Sequence, residues 1–501
     1  MDALGYLLLG FNTAFTGTNL FACFVGVAIG TLIGVLPGIG PVGTMAILIP
    51  ITYTMDTTSA IIMLSGIYYG AQYGGSTTSI LLNIPGETTA IVSCLDGYQM
   101  AKKGRAGPAL GISAIGSFIG GMLSVFGLML LTPPLGKLAL DFGPPETFSL
   151  ILFGVMMVSS IGSGSLVKSL IMATLGMFVS LIGLDNISGF SRFTLRSLTL
   201  SDGVGLVPVA VGMFGIAEVL TNIEVMEKQE VFKTEFRNLF PTWRDWNDSI
   251  KPILRGTVVG FFIGIIPGGG TILPTFFAYG IEKRLSKHPE KFGTGIVEGI
   301  AAPETANNAA SSGSMVPLFA LGVPPHVVMA MLLGAFMIHG IQPGPLFIKE
   351  HSDIFWGVIA SMCIGNVMLL ILNLPLIGIW VKILKIPYPS LFPLIILFCL
   401  VGVFSLNNNA YELFIMVFFG FMGYVLRKME YPAAPFLLAM VLGPMMETNF
   451  RQSMVIAQGD VAIFFDRPIS AVLLILIFLV LICLLVLKVV RKRGFVVKGA
   501  E

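Results

Sequence analysis

"GVLPGIGPVG" at residues 34–43 interrupts a run of apolar residues with two prolines and four glycines. "GIIPGGGTIL" at residues 264–273 does nearly the same again. Proline and glycine are the poorest helix formers, so each stretch marks a break in a hydrophobic helix. The two breaks are copies. Gly30, Ile33, Gly34, Pro37, Gly38 and Gly40 recur as Gly260, Ile263, Gly264, Pro267, Gly268 and Gly270, at a constant offset of 230 residues. A polar, small-residue segment follows each break: "YGGSTTSILLNIPGE" at 73–87 and "APETANNAASSGSMVPLFALGVPP" at 302–325. The kept order of break, then polar segment, points to an internal duplication.

The solvent of this chain is lipid. Of 501 residues, 55% are hydrophobic and 11% charged, with a mean hydropathy of +0.89; soluble chains carry about 25% charged residues. Residues 468–487 run without a charge and then meet Lys488, Arg491, Lys492 and Arg493. About 20 apolar residues span a bilayer, and a basic cluster marks the cytoplasmic side. Roughly a dozen such segments make an all-α polytopic membrane protein. The N-terminus lacks a basic region, its first lysine being Lys102, and reads as retained. The five cysteines are single and apolar in setting, and neither HExxH nor a Walker A pattern occurs. A net charge of +2 gives no argument for nucleic acid, and no acid, base and nucleophile set argues for an enzyme.

Charge orients the halves. The polar stretch 224–255 and the segment "EKRLSKHPEK" at 282–291 are both basic, hence cytoplasmic. The apolar run between them carries the PGGG break, so it predicts a re-entrant hairpin that turns back at Pro267–Gly270. Each arm of ~15 residues reaches ~22 Å. Around PGIGP no lysine or arginine occurs over residues 1–55; the first basic cluster is Lys102, Lys103 and Arg105. That hairpin is expected from the opposite face. The expected plan is two inverted-topology repeats, each with a re-entrant hairpin and a broken helix, the hairpin tips meeting in the membrane interior.

Unsatisfied backbone survives in a membrane only when buried in protein or lining a wet cavity. There, free amides attract anions and free carbonyls coordinate cations. The carbonyls near Gly38, Gly40, Gly268 and Gly270, with Asn83, Asn307, Asn308 and Glu304, are expected to hold ions. Ser76, Thr77 and Thr78 facing Ser311, Ser312 and Ser314 are expected to hold substrate carboxylates. Small polar residues also simply pack membrane helices together. Acidic residues inside apolar sequence are stronger pointers: Glu87 and Asp96 in the first half, Glu298 and Glu304 in the second. Asp96, beside Gly97, and Glu298 read as surface positions; Glu304, near two asparagines, reads as a site residue.

"GVLPGIGPVGTMAILIPITYTMD", "GIYYGAQYGGSTTSILLNIPGE", "DGYQMAKKGRAGPALG", "FGTGIVEGIAAPETANNAA" and "LLGAFMIHGIQPGPLF" resemble the large membrane subunit of the tripartite tricarboxylate transporters. The resemblance implies a bacterial inner-membrane secondary carrier working with a small membrane subunit and a periplasmic solute-binding protein that delivers a carboxylate. Similarity to elevator carriers further implies a moving core of 20–107 and 256–348. An N-terminal segment (1–19), scaffold helices (108–222 and 349–490), a cytoplasmic connecting loop (223–255) and a cytoplasmic tail (491–501) complete the division. One departure stands out. After "LFALG" comes Val323-Pro324-Pro325-His326, where the family has Pro, Gly and a small residue. An imidazole there, if it touches substrate, alters specificity, so citrate is not assumed; Gln72 is a milder change of the same kind.

Moving a trianion inward against 100 mV costs ~7 kcal/mol, at ~2.3 kcal/mol per charge. With no nucleotide motif to supply it, coupling to sodium is expected, with protons as the alternative. No resident cofactor is expected. A stand-alone carrier without a binding protein, or a passive channel, would share the same hydrophobic pattern.

Overall fold

The structure, a computed structural model, describes residues 3–36, 40–161, 165–185, 187–224, 239–384 and 388–498. It is all-α apart from one two-stranded ribbon, β1 (Gly183–Leu184) with β2 (Ser191–Arg192). The first half runs α1 (Ala3–Ala14), α2 (Gly17–Val35), α3 (Gly40–Thr52), α4 (Thr57–Leu82) and α5 (Ile91–Lys102). Then come α6 (Ala106–Ala139), α7 (Pro144–Ile161), α8 (Leu166–Ser180) and α9 (Leu206–Glu224). The second half opens with α10 (Trp243–Ile265), α11 (Ile272–Leu285), α12 (Glu298–Leu321) and α13 (Val327–Ile338). It closes with α14 (Ser352–Asn373), α15 (Tyr388–Asn407), α16 (Ala410–Lys428), α17 (Ala433–Ile456) and α18 (Pro468–Lys498). Among the described residues α2, α6, α9, α14 and α16 are long and apolar enough to cross a membrane. Exposed phenylalanines such as Phe414, Phe418 and Phe421 on α16 suit contact with lipid tails.

Both breaks are real. The chain leaves helix after Val35 and again after Ile265, and returns as α3 and α11. Pro37, Gly38 and Ile39 lie outside the described residues, so the expectation at Gly38 does too.

Glycines decide how the hairpins pack. Gly26, Gly30 and Gly34 stand one turn apart on α2, and Cβ atoms there would run into the carbonyls of Met63, Ile67 and Ala71 on α4. On α10, Gly256, Gly260 and Gly264 meet Ala302, Ala306 and Ala310 of α12 in the same manner. Small residues let membrane helices approach to backbone contact, which replaces the missing hydrophobic drive with dispersion. The ladder repeats at an offset of 230 residues on the hairpin arms and 239 on their partners.

Where they touch, α4 and α12 run in opposite directions. Tyr68, early on α4, reaches Ser314, late on α12; Ser76, late on α4, bonds Glu304, early on α12. The helix that follows each half braces the other half. Gly116 and Gly120 of α6 lie on Thr305 of α12, and Ser124 donates to Ser312 at 2.9 Å. In return Tyr73 of α4 donates to Asn366 of α14 at 3.2 Å, and Gly365 lies under the Tyr69 ring.

The stretch 223–255, expected as a connecting loop, is helical from Trp243 onward. The reason is local: Thr242 and Asp245 form a reciprocal capping box, and Arg105 clamps Asp245 at 2.6 Å. Arg255 then ties the two arms of the second hairpin by a two-pronged pair with Glu282 at 2.9 and 2.5 Å.

Candidate functional site

Each half ends its long helix with the same device. At the end of α4, Asn83 takes left-handed backbone (φ 61, ψ 25); at the end of α12, Gly322 does so (φ 69, ψ 15). A left-handed residue closes a helix, and a nearby proline keeps it closed; Pro85 and Pro324 follow at matching positions. Two tips result, 83–87 and 322–326, before the chain resumes as α5 and α13.

Each hairpin meets the tip of its own half. Gly268 (φ 82) donates its amide to Pro325 O at 2.8 Å. In the first half, the Gly34 carbonyl lies where a Cβ on Gly86 would stand. Gly40 (φ 63) and Gly270 (φ 53) also hold left-handed backbone, the conformation glycine takes without steric cost.

Between the tips the side chains form two clusters. The first surrounds Tyr68. Its hydroxyl lies 3.3 Å from Ser314 Oγ and 3.1 Å from His326 Nε2, with Ser311, Thr271 and the Glu87 carboxyl also bearing on it. Gln72 accepts from Thr89 at 2.9 Å, but its amide nitrogen is sealed without a partner. Glu87 Oε2 and both amide atoms of Asn307 are sealed and unpartnered as well, and Asn307 is only 1% exposed. Buried polar groups are nearly always bonded; here three side chains of facing elements leave valences open together, whereas Ser159, Ser169 and Ser249 do so singly elsewhere.

The second cluster surrounds Glu304, which is 1% exposed. Ser76 and Ser93 donate to its two carboxylate oxygens, and Ser117 reaches its carbonyl at 3.4 Å. Among the described residues no lysine or arginine pairs with it.

The sequence-marked residues therefore separate. Ser311, Ser314 and His326 join the Tyr68 cluster. Ser76 joins Glu304 instead, because the antiparallel crossing sets it opposite the start of α12. Thr77 borders a narrow gap with Tyr73, Leu110 and Asn373. Thr78 bonds the Val35 carbonyl at 2.6 Å and anchors the first hairpin. Ser312 is taken up by Ser124. Asn308 donates back to the Glu304 carbonyl at 3.2 Å, and Asn83 is exposed. Glu87, marked in sequence as an acid inside apolar surroundings but given no role, joins the Tyr68 cluster and falls opposite His326 at the offset of 239. Tyr68 and Ser93 were not marked; Tyr68 reads in sequence as a core aromatic.

Asp96, expected at the surface, is fully buried. It accepts the amides of Gly293, Gly295 and Ile296 at 2.7–3.0 Å and the Tyr279 hydroxyl at 2.9 Å. It therefore staples α5 to the loop that leads into α12.

A cavity of about 630 Å³ opens elsewhere, where α13 ends, lined by Tyr53, Asp185, Arg192, Met337 and Glu447 among others. Its floor is an ion network. Arg192 pairs with Asp185 at 2.7 Å and Glu447 at 2.8 Å; Arg451 pairs with the same two carboxylates at 2.9 and 3.3 Å. The Ser188 hydroxyl, with Arg451 and Arg192, holds the Asp185 carboxyl well below the usual range.

Residues 20–438 match the tripartite tricarboxylate transporter TctA family. The chain is 48% identical over 474 residues to an uncharacterized 52.8 kDa protein in the TAR-I ttuC' 3' region of Agrobacterium vitis, covering 95% of this chain and 94% of that protein. An uncharacterized protein in the TAR-II ttuC' 3' region of the same organism is 50% identical over 215 residues, 43% of this chain and 89% of its own length. No solved structure matches. The two broken, glycine-laddered halves thus sit in a chain that belongs to the TctA family, the large membrane subunit of tripartite tricarboxylate transporters.

Proposed function

We propose that this subunit carries a carboxylate into a bacterial cell across the inner membrane, driven by co-transported sodium. It works with a small membrane subunit and a periplasmic solute-binding protein. The observation that carries this reading is Asn307: a buried amide on α12, one turn before Ser311, with neither its oxygen nor its nitrogen bonded. Its oxygen suits a cation and its nitrogen a carboxylate. The cargo lies against Gln72, Asn307, Ser311, Ser314 and His326. Sodium is held by Glu304 with the Ser76 and Ser93 hydroxyls, and by the carbonyls of Gly38, Gly40, Gly268 and Gly270 with Asn83 and Asn308 nearby.

The halves are inverted repeats in this reading, supported by the opposed direction of α4 and α12 and by the matched glycine ladders. Lys102, Lys103, Lys283, Arg284, Arg427 and Lys428 then fall at the cytoplasmic ends, and the 630 Å³ cavity on the opposite face, where a binding protein delivers cargo. The core of 20–107 and 256–348 moves as an elevator against 108–222 and 349–490.

Uptake of labelled citrate, malate and succinate by proteoliposomes holding the three-part assembly tests this. A sodium gradient should drive accumulation of at least one probe, and omission of the binding protein should abolish it. Uptake that ignores the sodium gradient would overturn the coupling.

A further inference from the structure

We infer that Glu87 loads a proton together with the cargo, so that one proton accompanies each turnover in addition to sodium. This rests on the transport reading above. Glu87 stands in the first tip at the position that His326 holds in the second. Its Oε2 is sealed without a hydrogen-bond partner, and the neighbouring Asn83 and Thr88 are exposed.

The surroundings offer an anion no counter-charge. Glu87 packs on Gly75 of α4, with the Thr89 hydroxyl of its own half bonding its carboxyl and Tyr68 facing it. The Thr271 hydroxyl of the second hairpin and His326 of the second tip gather at the Tyr68 hydroxyl. The nearest other acid on α12 is Glu304, occupied by serines. Among the described residues no lysine or arginine pairs with Glu87. A charged carboxylate here repels an anionic cargo ~5 Å away enough to weaken its binding about a hundredfold. A proton on Oε2 removes that repulsion and turns the unpartnered oxygen into a donor toward the cargo. Release of cargo on the other side restores the repulsion-free state without the proton, which then leaves to the cytoplasm. Buried acids of transporters commonly act as such proton carriers.

The test uses the three-part assembly in proteoliposomes with labelled citrate, malate and succinate, sodium held equal on both sides. In the wild type, an inward proton gradient of two pH units should raise accumulation about tenfold or more, and an internal dye should report acidification on cargo addition. Glu87→Gln, which resembles the protonated side chain, should flatten the pH profile and lose both responses while counterflow exchange stays measurable. Glu290→Gln, on an exposed loop, serves as the control. Wild type that accumulates probe under a separate sodium gradient, but shows neither pH response nor dye signal with sodium equal, overturns the Glu87 assignment alone, whatever the variant does. Glu87→Gln that follows the proton gradient as the wild type does also overturns it. A wild type that moves no probe under any gradient overturns the transport reading and the Glu87 assignment together.

Discussion

The two halves of this chain share a frame and differ in chemistry. At the offset of 239, Asn83 matches Gly322 and both close a helix in left-handed backbone. Yet Ser65 matches Glu304, Tyr68 matches Asn307 and Glu87 matches His326. The acid at the Tyr68 cluster, Glu87, stands in the first tip, whereas the acid of the second cluster, Glu304, stands near the start of α12. Where the first half places a large phenol, the second leaves a bare amide. Packing needs the same small residues in both halves, because backbone contact tolerates nothing else. A site for an unsymmetrical ligand needs unlike groups. The matched small residues carry the frame, and a few facing positions carry the difference in chemistry.

The glycine ladders are the sharpest check on the shared frame. Gly30→Leu and Gly260→Leu each force a side chain into the carbonyls of Ile67 or Ala306. Overpacking costs about 3 kcal/mol or more where the neighbour is backbone and does not yield. Both variants should lose most folded, monodisperse protein on size-exclusion chromatography in detergent. A half that accepts its leucine breaks the equivalence of the two ladders.

Asp96 has no counterpart: its matching position is Ala335. Asp96→Ala leaves three backbone amides, of which only those of Gly295 and Ile296 are half-buried, and the Tyr279 hydroxyl without an acceptor. Each costs roughly 1–3 kcal/mol, and partial relaxation brings the expected loss to about 3 kcal/mol. Hydrogen exchange at 293–296 should rise sharply, with the ladder helices α10 and α12 still protected. Uniform deprotection across both halves would mean that Asp96 supports the whole fold rather than one seam.

Asn307 and its counterpart Tyr68 sharpen the chemical contrast. Tyr68→Phe removes a bonded hydroxyl and should lower the melting temperature slightly. Asn307→Ala removes an amide that bonds nothing in the protein, so the melting temperature should hold or rise. Loss of one bond to a charged ligand, about 1.5–3 kcal/mol, should still weaken cargo or sodium affinity roughly 10- to 150-fold. Unchanged uptake kinetics in Asn307→Ala would remove that residue from the site.

The parts of this design that are local were legible in the sequence. Breaks come from proline and glycine, and spans come from hydropathy; both are written within a few residues. The partner of a polar side chain is not local. Ser76 and Ser311 look alike in sequence, yet the antiparallel crossing sends one to Glu304 and the other to Tyr68. Thr78 and Ser312 resemble ligands, but Thr78 donates to the Val35 carbonyl and Ser312 accepts from Ser124. Asp96 beside Gly97 looked superficial because nothing nearby in sequence announces the amides of 293–296. The helix from Trp243 was legible after all: Thr242 with Asp245 three residues on is a capping signal, masked by the surrounding charge.

The halves diverge most outside the membrane helices. Residues 181–205 form a ribboned segment bearing Asp185 and Arg192, whereas α16 and α17 are joined by the short turn 429–432. Asp185 is held below its ordinary value by Ser188, Arg451 and Arg192, so its contribution to stability is complete above the unfolded carboxylate value of about 3.9. That contribution fades as pH falls through the lower folded value. Asp185→Asn should therefore melt a little below the wild type at pH 7, by the same margin down to about pH 5. Below roughly pH 4 the two melting curves should converge. Because Arg192 and Arg451 are each about one-third exposed, added salt should shrink the margin at pH 7 as well. A margin that widens with acid would mean that the arginines, rather than the carboxylate, are the groups this network stabilises, and that the segment is held by some contact other than its charges.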